Sequence, residues 1–90
     1  MEYVVYILFS QKNLKYYVGQ THDIKKRFER HNKGNVPSTK SGLPWDLVLT
    51  FKVENRSEAM KLEKKIKKRG IKRFLNDNQF GFITLRRDRT

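Results

Sequence analysis

Tyr6 and Tyr17 lie eleven positions apart, in two aromatic and β-branched runs separated only by the break Gln11 to Leu14. Such runs make core strands, and they can also stand two phenols side by side for chemistry. Downstream, Arg27 and His31 fall on the same helical stripe as Ile24 and Phe28, so both are aimed at the protein body. Glu63 is the only acid among eight basic residues between 61 and 73, and it sits within the apolar stripe of Ala59, Leu62 and Ile66. An inward carboxylate is costly unless something positive meets it: Arg27, a lysine or a metal ion. The plainer alternative is an i,i+4 pair with Lys67, worth about 0.3–0.5 kcal/mol on a helix surface.

The elements that must position these groups follow from periodicity and punctuation. Residues 3–9 read as a strand apolar on both faces, which suits the centre of a sheet. Residues 15–21 read as a second strand, joined to the first as an antiparallel hairpin. A pairing whose residue numbers sum to an odd value, such as 23 or 25, puts Tyr6 and Tyr17 on one face; a slip of one residue separates them. Thr21 or Asp23 can cap a helix running to about Lys33, with Gly34 as its stop. Residues 34–44 form a loop. Residues 45–51 form a third strand, expected to turn Trp45, Leu47, Leu49 and Phe51 to one face. Asn55 with Glu58 starts a second helix that ends at Gly70. A shorter helix follows over 71–76, and residues 80–85 read as a short edge strand or an ordered extension.

Composition narrows the partners. Lys and Arg number 21 against 9 Asp and Glu, a net charge of +12 on 90 residues. That surplus points to a polyanion, nucleic acid before an acidic membrane surface. The absence of cysteine excludes disulfides, zinc fingers and thiol nucleophiles. The apolar run at residues 3–9 is too short to cross a bilayer and no small-residue cleavage site follows it, so a cytoplasmic protein without a signal peptide is expected. Chain length points to one domain over residues 1–90.

Taken singly, each marked residue has an ordinary structural account; as an ordered set they resemble the GIY-YIG nuclease superfamily, in particular its short stand-alone bacterial members. Val4-Val5-Tyr6 stands at the "GIY" position and Tyr17-Val18-Gly19 at "YIG". The segment from Thr21 to Gly34 is similar to the family helix, with the arginine at Arg27 and the histidine at His31. The stretches "STKSGLPWDLV" and "ENRSEAMKLEKKIKK" are also similar, and the metal-binding glutamate falls on Glu63. The likeness covers about residues 3–69. Val4 departs from the first motif glycine, and from about Gly70 onward the resemblance is not traced.

The resemblance implies an α+β fold, a three-stranded antiparallel sheet flanked by helices. It implies a divalent-metal-dependent endonuclease that hydrolyses phosphodiester bonds of DNA with one Mg²⁺ or Mn²⁺, structure-selective and serving repair or recombination. Glu63 would hold the metal, Arg27 would donate to phosphoryl oxygens, Tyr6 and Tyr17 jointly would orient or deprotonate water, and His31 would support them. Gly19 is the motif glycine. Lys33, Lys40, Lys64, Lys67, Lys68, Arg69, Lys72 and Arg73 would engage backbone phosphates. DNA is the expected partner, with RNA second, no membrane and no organic cofactor. The competing reading is a non-catalytic nucleic-acid-binding module on the same fold; a basic RNA-associated protein would leave Glu63 and the paired tyrosines unexplained.

Overall fold

Three antiparallel strands, β1 (Tyr3–Ser10), β2 (Lys15–Thr21) and β3 (Trp45–Val53), form a sheet in the order β2-β1-β3. The computed structural model describes residues 2–78; the 80–85 segment lies outside the described residues. The central strand is β1, and its doubly apolar sequence has that cause: Val5, Tyr6, Ile7 and Leu8 alternate between two buried faces. Within the hairpin Tyr6 pairs with Gly19 and Leu8 with Tyr17. The residue numbers sum to 25, the register that places both tyrosines on one face.

Each face has its own helical layer. Helix α1 (Ile24–Asn32) and a 3-10 turn (Pro37–Gly42) cover the face of Tyr6, Leu8 and Trp45, where Val4, Tyr17, Ile24, Phe28 and Leu43 pack. Helices α2 (Arg56–Arg69) and α3 (Ile71–Asn78) cover the other, around Val5, Ile7, Val18, Ala59, Ile66, Phe74 and Leu75. Asp23 rather than Thr21 caps α1, accepting from the Lys26 amide at 3.1 Å. Asn55 caps α2 in the same way through the Glu58 amide at 2.9 Å. Each cap contributes about 1 kcal/mol. Gly34 and Gly70, both at positive φ, follow the two helix ends.

The third strand departs from the expected alternation. The register against β1 shifts between Ile7 and Leu8, whose partners are Leu49 and Leu47. The extra residue, Val48, makes a bulge, and a bulge exchanges the faces on either side of it. Trp45 therefore packs with Tyr6 and Leu8, while Leu49 and Phe51 pack on the opposite core. Leu47 stays 42% exposed. The loop expected over 34–44 contains the 3-10 turn, which tucks Thr39 into the interior.

Candidate active site

The α1 face of the sheet gathers four of the five marked side chains. Strand pairing sets Tyr6 and Tyr17 on one surface with ring centroids 6.4 Å apart. Helix α1 crosses above and lowers His31 between them, its ring 5.6 Å from that of Tyr6 and 5.2 Å from that of Tyr17. The Tyr6 hydroxyl lies 2.8 Å from His31 Nε2, and His31 Nδ1 lies 2.7 Å from Thr39 Oγ1. One turn before His31, Arg27 stands near enough for its guanidinium charge to act on the Tyr6 hydroxyl.

Burial divides the two phenols. Tyr6 is fully buried and Tyr17 only half-buried. Desolvation, reinforced by the charge of Tyr17, pushes the Tyr6 phenol well above the ordinary tyrosine range despite the nearby Arg27. Burial, with Arg27 and Arg30, holds His31 below the usual histidine value. Near neutral pH both groups are uncharged.

Glu63 arrives from the other layer. Helix α2 packs against β2 and β1, and from it the Glu63 carboxylate sits close enough for its charge to act on Tyr6. Its side chain is 19% exposed and meets Lys67 Nζ at 2.9 Å, the i,i+4 pair considered from the sequence. That hydrogen bond holds the Lys67 ammonium above the ordinary lysine range, and Tyr17 adds to the effect. Tyr17 thus lies beside the Tyr6 phenol, and the charges of Arg27 and Glu63, from two further elements, act on it.

A family model for the GIY-YIG catalytic domain matches residues 2–76. The chain belongs to the GIY-YIG family. It is also similar to the solution NMR structure of the UPF0213 protein BH0048 from Bacillus halodurans, with 30% identity over 90% of this chain and 88% of that one, at a TM-score of 0.57. No match is found among curated proteins.

The basic residues of this GIY-YIG domain occupy both layers. Lys33 and Lys40 are exposed at the end of α1 and in the 3-10 turn; Lys64, Lys67, Lys68, Arg69, Lys72 and Arg73 are exposed on α2 and α3. Two are engaged: Lys67 by Glu63, and Arg69 by Asp77, whose carboxylate takes both Nε and Nη2. Lys68, Arg69 and Arg73 line a shallow groove together with Lys65.

Sequence reasoning missed two groups of residues. Thr39 looked like loop, yet its hydroxyl touches His31 and its carbonyl accepts from Trp45 Nε1 at 2.7 Å. Trp45 is in turn clasped by Asn32, which accepts from its amide at 2.7 Å and donates to its carbonyl at 3.1 Å. The second group lines a cleft of about 280 Å³ beside Arg27: Tyr3, Gln20, Thr21, His22 and Arg56. Gln20 Oε1 is buried there without a partner among the described residues. Among those residues no helix is long and apolar enough to cross a membrane.

Proposed function

We propose that this GIY-YIG domain is a divalent-metal-dependent endonuclease hydrolysing phosphodiester bonds of DNA, selective for structure rather than sequence and acting in repair or recombination. The observation that supports the reading is the Tyr6, Tyr17 and His31 cluster, with Arg27 and Glu63 near enough for their charges to act on the Tyr6 phenol. A binding surface needs lysines; it does not need a largely buried carboxylate among them.

Arg27 donates to the phosphoryl oxygens, where a planar fork of donors outperforms a lysine. Tyr17, the phenol that reaches the surface, orients the attacking water and takes its proton. Tyr6 and His31 act behind them. The water oxygen bonds to phosphorus as the 3′-oxygen leaves, and the charge gathered there is what the site must offset.

The donor set fits a hard cation held sparingly. Among the described residues no three His, Cys, Asp or Glu side chains cluster to make a closed metal cage. Glu63 offers a carboxylate that keeps some contact with solvent and has an ammonium already against it, so a cation is electrostatically at home there. One carboxylate plus water and substrate oxygens is a usual arrangement for Mg²⁺ or Mn²⁺. When bound, the cation supplies Lewis-acid stabilisation to the phosphate and the leaving oxygen. The exposed basic residues named above track backbone phosphates without reading bases.

The same ion pair favours a second reading, a nucleic-acid-binding module without catalysis, because Lys67 satisfies Glu63 with no metal at all. Incubation with supercoiled plasmid, a branched duplex and an RNA hairpin, in Mg²⁺ and in EDTA, separates the two. Metal-dependent cutting that disappears in Glu63→Ala and Arg27→Ala supports the enzyme. Retarded mobility with no cutting by the unaltered protein supports the module, and cutting that survives in both variants rejects the assigned site.

A further inference from the structure

Behind Arg27 runs a chain of three hydrogen bonds whose direction is fixed at its far end. Its first neighbour, Arg27, has only donors and acts on the Tyr6 hydroxyl by charge. Its last, the Val36 carbonyl, has only lone pairs and faces Thr39 Oγ1 at 3.3 Å. Between them stand three groups that can each both give and accept: the Tyr6 hydroxyl, the His31 ring, 2.8 Å away, and the Thr39 hydroxyl, 2.7 Å beyond.

One assignment uses every donor. Thr39 donates to the Val36 carbonyl, so its oxygen accepts from His31 Nδ1–H, and the bare Nε2 accepts from the Tyr6 hydroxyl. In the reverse arrangement His31 Nε2–H would point at the Tyr6 oxygen, leaving the phenol proton without an acceptor among the described residues in a fully buried site. Unmade hydrogen bonds of that kind are rare in folded interiors. The groups facing His31 are Tyr6 and Tyr17 from the sheet, Arg27 and Arg30 from its own helix, and Thr39 from the turn; no carboxylate appears among the charges acting on it.

We infer that Thr39 is a positioning residue for the reaction: its hydroxyl holds His31 in the Nδ1–H tautomer, which makes Tyr6 a donor to His31 and leaves its lone pairs to fix the Arg27 guanidinium. Tyr6 then stays a neutral phenol throughout, and Thr39 acts on the phosphate-binding arginine through two intermediaries. This inference rests on the nuclease reading for its catalytic consequence but not for the tautomer.

The test measures both. Nitrogen-15 NMR of His31 in the wild-type protein should show a protonated Nδ1 and a bare Nε2. Thr39→Val should lose that pattern, and Thr39→Ser, which restores the hydroxyl, should recover it. In parallel, kcat for DNA cleavage by Thr39→Val should fall about 100-fold, the scale of an ångström's misplacement. Its DNA affinity should stay within about twofold, because the charge of Arg27 remains, and Thr39→Ser should cleave like the wild type. A wild-type Nε2–H tautomer overturns the inference, whether or not the valine variant folds; so does an unchanged tautomer or an unchanged kcat in Thr39→Val. If no preparation cuts nucleic acid while the tautomer behaves as stated, the hydrogen-bond chain stands and the nuclease reading falls.

Discussion

Tyr6 and Gly19 face each other across β1 and β2, and the tyrosine occupies the space where a side chain at residue 19 would be. A Cβ built on Gly19 would come 2.5 Å from the Tyr6 hydroxyl oxygen and 2.7 Å from its Cζ. The motif glycine is therefore a vacancy kept for a phenol. Gly19→Ala should push Tyr6 off His31, lower stability by about 1–3 kcal/mol, as overpacking does, and cut cleavage about 100-fold. Urea midpoints and initial rates check both. An alanine variant as stable and active as the wild type would mean that the ring yields freely.

The two tyrosines should fail in opposite ways. Tyr6→Phe removes a buried hydroxyl that serves both Arg27 and His31, and the stranded partners should cost about 1–3 kcal/mol of stability. Tyr17 makes no hydrogen bond among the described residues, so Tyr17→Phe should leave the urea midpoint nearly unchanged. Its effect should fall on kcat, by about 10²–10⁴, the range of a lost proton-transfer group. Equal losses of stability in the two variants would contradict the division into an inner and an outer phenol.

These contrasts mark what was legible before any coordinates. The strand order in sequence, the hairpin register that unites the tyrosines and the capped helices all follow from local rules, because each is set by residues within a turn or two of each other. Glu63 was visible as an acid on an apolar stripe, although its role as partner to Lys67 and its nearness to Tyr6 are separate facts of one carboxylate. The bulge at Val48 was not read. Its trace was there in Leu47-Val48-Leu49, three apolar residues in succession where strict alternation calls for a polar one. Thr39, Gln20 and Arg56 carried no signal, since a threonine buried against a histidine reads in sequence like any loop threonine.

Acid should weaken the fold through His31. Its folded pKa lies below the value of about 6.5 that it has in the unfolded chain. Above that pH neither state carries the proton and the contribution is fully present. As pH falls below it the unfolded chain binds the proton first, so stability drops with falling pH until the folded pKa is reached. Urea midpoints at about pH 7.5 and about pH 5.5 should therefore differ more for the wild type than for His31→Gln. Equal differences in the two proteins would exclude His31 as the cause.

Lys67 competes with any cation for Glu63. Its ammonium, 2.9 Å from the carboxylate and 60% exposed, must give way before a metal can settle there. An exposed pair of this kind is worth about 0.2–1 kcal/mol, so Lys67→Met should tighten Mn²⁺ binding only a few-fold. Manganese titration followed by electron paramagnetic resonance, without DNA, reads the effect directly. Weaker binding in the methionine variant would show that Lys67 helps to shape the site rather than to fill it.

The cleft beside Arg27 would give a nucleic-acid substrate a path. Arg56, from the first turn of α2, lines it together with Arg27 from α1. A phosphate bound near Arg27 would place its neighbour along this cleft. Arg56→Ala should therefore weaken DNA binding about equally for all sequences and lower the dependence of log K on log salt by about one, the signature of a single lost phosphate contact. Gln20→Leu should behave differently. Its buried Oε1 makes no hydrogen bond in the free protein, so its removal should not destabilise the fold. DNA affinity and salt slope should both stay unchanged, because an oxygen shielded from solvent meets no phosphate. Fluorescence anisotropy across a salt series distinguishes the two, and an unaltered slope in Arg56→Ala would exclude the cleft as the track of the backbone.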